Sequence, residues 1–372
     1  MDFSFSEEQE MVQKSAREFL ENECPKKFVR DMEEDEKGYS PELWKRMTEL
    51  GWIGLVLPEE YGGMGSNFLT LITLLEEMGR ALLPGPFIST VIYSSLPILH
   101  YGTEEQKREF LPKIAEGTLI ATLALSEPNG RFDEAGIETK ATKSNNDYII
   151  NGTKLFVPDA HIADWLLCVA KADEGITLFL IDAKSPRINY TLLKTLASDK
   201  QCEVILNKVK VPARNILGKP GIGWEVVSRI SEWGAVAQCA LILGCLQQVL
   251  EMTVEHAKQR VQFDRSIGSF QAIQHQCADM AIDIDSVKFL TYETAWKLSQ
   301  GLPVTMEASM AKAWASDASR RVCVLGHKIQ GGVAIMEDHD MQLYFRRAKA
   351  MELAFGDGDF HREIVAKELG LC

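Results

Sequence analysis

The chain has 372 residues, of which 46% are hydrophobic and 25% charged, and its formal net charge is −13. That length exceeds what one hydrophobic core normally supports, so two or three packed units are expected. The acidic balance argues against nucleic acid or anionic membrane as the main partner, while leaving room for an anionic ligand on a local basic patch.

The N-terminus MDFSFSEEQEMV is acidic and enters an amphipathic pattern at once, without the charged and apolar regions of a signal peptide. Phe5, Met11 and Val12 recur at helical spacing. Ser40-Pro41 predicts a capped helix start over PELWKRMTEL. Gly62, Gly63 and Gly65 mark a loop before the apolar helix FLTLITLLEEMGRAL. Thr103 to Gln106 reads as a capping box, and Pro112 predicts a kink or a split in the helix that follows.

Near residue 118 the pattern changes. LIATLALS, DYIING, KLFVPD, WLLCVAK, ITLFLID and CEVILNKVKV are short β-rich runs, separated by turn chemistry at SNND (144–147) and an Asn151-Gly152 hairpin signal. From Gly223 long helical segments return, the first apolar around much of its circumference. The expected fold is therefore α+β and multidomain: a helical domain over 1–118, an antiparallel β domain over 119–218 and a four-helix bundle over 219–372. The eight cysteines are scattered without C-x-x-C spacing, which predicts reduced thiols, no structural zinc and a cytoplasmic protein. The longest apolar runs are interrupted by Gln and too short to span a bilayer, so no membrane partner is expected.

Common catalytic motifs are missing: no G-x-G-x-x-G after a strand, no P-loop, no G-x-S-x-G and no H-E-x-x-H. Three stretches remain. ATLALSEPNG (121–130) ends a strand at Ser126. KQRVQFDRSIGSFQAIQH (258–275) sets Arg260 and Arg265 beside a helix start, a plausible phosphate site. HKIQGGVAIMEDHDMQLYFRRAKA carries Gly331-Gly332, read either as a close approach of backbone to ligand or as a helix C-cap. A fourth, AFGDGDFHREIVAKELG (354–370), gathers Asp357, Asp359 and His361, a grouping open to a metal site, an acid/base pair or a helix start.

In this order, with LGWIGLVLPEEYGGMG, GTEEQKREFLPKIAEG, DYIINGTK and the R-x-x-F of Arg260 and Phe263, the whole chain resembles the acyl-CoA dehydrogenase family of flavoproteins. The resemblance implies FAD as cofactor, an acyl-CoA substrate, an electron-transfer flavoprotein as electron acceptor, and a homotetramer or a heterotetramer with a homologous subunit. It implies that Leu125 and Ser126 hold the pyrimidine side of the flavin and that Phe156 and Val157 cover its ring. Arg260, Phe263 and Gln271 match groups on the pyrophosphate and adenine, and Gly331 and Gly332 match the close backbone approach. Lys328 stands where a cofactor-side glutamine is common, and Pro158 where a threonine commonly meets the flavin. The implied reaction is α,β-desaturation: a carboxylate takes the α-proton of the thioester and the β-hydrogen leaves as hydride to FAD.

The chain departs from the family at the base. The usual glutamate position, seven residues before Arg362, is Phe355, and the alternative position on the first long bundle helix is Gly234, followed by Ala235. Asp357 is the nearest carboxylate, with a helix cap as its ordinary reading; Glu232 and Glu225 are weaker candidates. Two rival functions follow from an absent base: a subunit that pairs with a catalytic homologue in an α2β2 assembly, or a non-redox acyl-CoA lyase such as a desulfinase or decarboxylase.

Overall fold

A computed structural model describes residues 5–371 in two compact units. One comprises the chain up to residue 30, residues 67–83 and the chain from 234 onward; the other comprises 31–66 and 84–233. Cys372 lies outside the described residues.

In the first unit, α1 (Glu7–Glu23) starts at a capping box of Ser6 and Gln9 and buries Ala16 and Leu20. The helix forms as the helical spacing of Phe5, Met11 and Val12 predicts, with Met11 69% exposed and Gln9 buried on its inward face. α2 (Lys26–Glu34) starts in this unit and ends in the other, which also holds α3 (Pro41–Glu49), capped by Ser40 with Pro41 opening the helix. α4 (Phe68–Ala81) is capped by Asn67 and is buried nearly all round. It carries Glu77 to a two-pronged pair with Arg17 (2.9 and 2.7 Å), one of the few ways a carboxylate tolerates such burial.

The remaining helices of this unit come from the C-terminal third: α8 (Gln271–Ser299), α9 (Thr305–Gln330), α10 (Asp340–Leu353) and α11 (Gly358–Glu368), together with the part of α7 (Gly223–Gln259) from Gly234 onward. α9 buries Ala308, Ala311, Ala315 and Ala318, small side chains that let α8 and α11 approach closely. α7 is long and apolar enough to cross a membrane by composition, and its apolar stretch is mostly buried in the protein.

In the second unit, a helical stretch wound more widely than an α-helix (Ile88–Ser95) leads into α5 (Leu96–Tyr101) and α6 (Glu104–Ala115). The Thr103–Gln106 capping box forms as expected. Pro112 does not split α6, which runs on to Ala115; a proline in the helix removes one donor without forbidding continuation.

The sheet of this unit has eight strands: β1 (Ala121–Ala124), β2 (Lys140–Ser144), β3 (Asp147–Pro158), β4 (Trp165–Ala172), β5 (Gly175–Asp182), β6 (Ile188–Leu193), β7 (Gln201–Pro212) and β8 (Ile216–Leu217). Their order is β6-β7-β3-β2-β4-β5-β8, with β1 on β4. Pairing is antiparallel except where β4 meets β1 and β2, so the sheet is mixed. Asn145 (φ 58°) turns the chain from β2 to β3, as SNND predicts. Asn151-Gly152 is no hairpin: DYIING and KLFVPD form one strand, and the pair sits at a register shift inside β3. A Cβ on Gly152 would lie 2.4 Å from Thr139 Oγ1, which explains the glycine without a turn. β2 and β6 escape the sequence pattern because most of their side chains face solvent.

Candidate functional site

Each unit carries part of the expected site. In the sheet-bearing unit, β1 runs into Leu125 and Ser126, and the Ser126 carbonyl accepts the Leu155 N–H at 2.9 Å. This brings the strand end beside Phe156 and Val157. Between Lys154 and Val157 the pairing of β3 with β7 shifts register, and Phe156 takes a left-handed backbone (φ 54°). A bulge of this kind re-aims a side chain. Here it turns Phe156 outward to 59% exposure while Val157 stays in the core. Of the expected ring-covering pair, only Phe156 therefore presents its side chain. Pro158 lends its carbonyl to Thr122 Oγ1 at 2.6 Å.

In the helical unit, α7 ends at Gln259 and the chain makes a small antiparallel ribbon, β9 (Val261–Gln262) with β10 (Arg265–Ser266). Its tip is Phe263 and Asp264, both with positive φ, and Phe263 is 86% exposed. Arg265 lies over the Phe270 ring at 4.1 Å, and Phe263 meets that ring edge-on at 6.0 Å. Arg260 and Gln271 are exposed, the latter opening α8, whose start has no side-chain cap. Its first amide groups therefore remain available to an anion. Gly331 ends α9 with φ 73°, so the C-cap reading of this glycine holds; nothing within 4 Å would meet a Cβ on it or on Gly332. Lys328 is exposed in the last turn of α9.

In the sheet-bearing unit, an outward aromatic held in a strained bulge has the chemistry to cover a flavin ring. In the helical unit, two arginines beside an uncapped helix start have the chemistry to hold a diphosphate, and a pair of glycines leaves open space.

The segment between α10 and α11 holds the candidate base. Phe355 again has a left-handed backbone (φ 58°), and a Cβ added to Gly234 would lie 3.0 Å from three atoms of its ring. The two positions that sequence reasoning considered for the glutamate are thus in contact, and an aromatic ring lies between them. Asp357 caps α11, its Oδ1 accepting the Phe360 N–H at 2.9 Å. Asp359 points away to Arg362 at 2.7 Å, and among the described residues no group of acidic, histidine or cysteine side chains could hold a metal. Of the weaker candidates, Glu232 pairs with Arg229 at 2.7 Å and Glu225 is exposed.

Two buried side chains grip this segment: Lys312, which the sequence did not single out, and His361, which it grouped with Asp357 and Asp359. Lys312 is wholly buried, and its Nζ donates to the Glu352 carbonyl (2.7 Å) and the Gly356 carbonyl (2.9 Å). Burial pulls its pKa down to about 8. His361 is 4% exposed; its Nε2 lies 2.9 Å from the Phe355 carbonyl and its Nδ1 3.2 Å from Ser309 Oγ. Burial, with the Lys312 charge nearby, lowers its pKa to about 4 and keeps the ring neutral at pH 7. A lysine in a helical pattern rich in alanine gives no sequence signal of burial.

Sequence models of the N-terminal, middle and C-terminal domains of acyl-CoA dehydrogenases match residues 6–118, 122–209 and 221–370. The probable acyl-CoA dehydrogenase YngJ of Bacillus subtilis is 32% identical, over 99% of this chain and 100% of its own. The butyryl-CoA dehydrogenase structure from Megasphaera elsdenii superposes with a TM-score of 0.93 at 32% identity, covering 99% of this chain and 100% of that one. A chain of the ChsE4-ChsE5 complex from Mycobacterium tuberculosis gives 0.93 at 28% identity, covering 100% of both chains. The chain belongs to the acyl-CoA dehydrogenase family, as an acyl-CoA dehydrogenase-like flavoprotein.

Proposed function

We propose that this chain is the base-less partner in a mixed acyl-CoA dehydrogenase assembly that desaturates an acyl-CoA thioester at its α,β bond. The observation that carries this reading is the Phe355 ring packed against Gly234, which places apolar atoms at both candidate positions for the proton-abstracting carboxylate. Asp357 is the nearest alternative, and its carboxylate is engaged in capping α11. A base must reach the α-hydrogen within hydrogen-bond distance, and a cap oxygen facing its own helix is poorly aimed for that.

FAD, when bound, supplies the hydride acceptor. In this reading Leu125 and Ser126 meet its pyrimidine edge and Phe156 covers its ring. Arg260, with the uncapped start of α8, neutralises the diphosphate, and Phe263, Gln271, Lys328, Gly331 and Gly332 lie along the nucleotide. Phe355 excludes water from the reacting carbon without moving a proton. The homologous second chain contributes the carboxylate, and electrons pass to an electron-transfer flavoprotein. The ChsE4-ChsE5 structure is a complex of two differently named chains, which makes a mixed assembly a precedent among structures of this fold.

The test is purification of the chain alone and with co-expressed homologues, followed by addition of saturated acyl-CoAs. Flavin bleaching is expected only in the mixed preparation, or in the lone chain once Phe355→Glu installs a carboxylate. Full bleaching by the unmodified lone chain would defeat the proposal. Loss of that bleaching in Asp357→Asn would then assign the base to Asp357.

A further inference from the structure

The sheet of the second unit encloses an ion pair that no step of the reaction uses. Lys154 is 0% exposed and Glu127 is 5% exposed, with Lys154 Nζ donating to Glu127 Oε1 at 2.6 Å. The same Nζ donates to the Leu125 carbonyl at 3.1 Å. Glu127 also accepts the backbone N–H groups of Glu138 (2.8 Å) and Thr139 (3.1 Å). Stability alone does not call for such a pair, since apolar side chains of similar volume often serve as well or better in a buried position.

Its location gives the reason. Lys154 is the last paired residue of β3 before the register shift, two residues before the left-handed Phe156. Glu127 follows Ser126 directly, and Leu155 N–H donates to the Ser126 carbonyl at 2.9 Å. Three polar ties therefore join the strand end at 125–127 to the bulge at 154–156. A left-handed non-glycine residue persists only where its surroundings over-determine it. We infer that the Lys154–Glu127 pair is the positioning device of the flavin site, fixing Leu125 and Ser126 relative to the outward Phe156. The inference rests on the reading that these residues hold FAD.

The test compares Lys154→Met, Glu127→Gln and the double variant Lys154→Met/Glu127→Leu, each prepared in the assembly that binds flavin in the wild type. Readouts are flavin per chain, the visible circular dichroism of the bound flavin, and thermal midpoint. Lys154→Met strands the Glu127 charge in the core, so its midpoint should fall. The double variant removes both charges but leaves the Glu138 and Thr139 N–H groups without their acceptor, so its midpoint should fall by less than that of Lys154→Met. It should nevertheless hold flavin about tenfold more weakly, the effect of one misplaced hydrogen bond, with altered flavin dichroism. Should the double variant not fold, the same comparison is read on Glu127→Gln, which keeps shape and loses charge. Wild-type flavin affinity and dichroism in the folded variant would overturn the inference while leaving the flavin reading intact. A wild type that takes up no flavin in any assembly would overturn both.

Discussion

Replacing Lys312 by Met tests the grip on the Phe355 segment through its pH dependence. The charged groups and thiol facing Lys312 are Cys239 on α7, Glu352 on α10 and Asp357 at the start of α11, and none is close enough to outweigh burial as the largest influence. The pKa falls from 10.5 to about 8, which corresponds to roughly 3 kcal/mol held against the folded state while the lysine is charged. Below pH 8 both folded and unfolded chains carry the proton, and that cost is present in full. Between pH 8 and 10.5 the unfolded chain binds more protons than the folded one, so stability contributed by this site rises with pH. Methionine has no such dependence. At pH 7 the substitution removes the charge but strands the Glu352 and Gly356 carbonyls, at about 1–3 kcal/mol each, so the two effects nearly offset. By pH 11 the wild type should have gained roughly 3 kcal/mol over the variant. Urea unfolding of both proteins at pH 7, 8.5, 10 and 11 measures this, and the difference cancels the tyrosines and cysteines they share. A difference that stays flat across that range would refute the buried, charged Lys312.

Two further outcomes are expected. Gly244→Ala would put a Cβ 1.8 Å from the Glu76 carbonyl oxygen and 2.7 Å from Arg80 N, both backbone, so α4 and α7 must part. The loss should reach about 3 kcal/mol or more, read by chemical denaturation; an unchanged midpoint would contradict the helix crossing. Asp357→Ala should cost about 1 kcal/mol through the lost cap, whereas Asp357→Asn, an equal cap, should melt within a degree or two of the wild type. Equal losses in both, measured by thermal unfolding, would show that the aspartate's charge and not its cap supports α11.

Periodicity and turn chemistry by themselves determined the α, β, α order, the caps at Ser40 and Thr103 and the SNND turn, because these depend on neighbours within a few residues. The linear motifs determined the family, since Ser126, Arg260, Phe263 and Gly331 stand in a fixed order along the whole chain. Where a contact crosses sequence distance, only the tertiary structure decided. Asn151-Gly152 reads as a hairpin locally, yet Thr139 packed on Gly152 makes it a strand interior. Phe355 and Gly234 are 121 positions apart, and no pattern in either neighbourhood announces that one covers the other. Lys312 and Lys154 look like surface lysines in sequence. Their burial follows from carbonyls and a carboxylate brought in from other segments, because a charge leaves water only where the folded chain has already placed its partners.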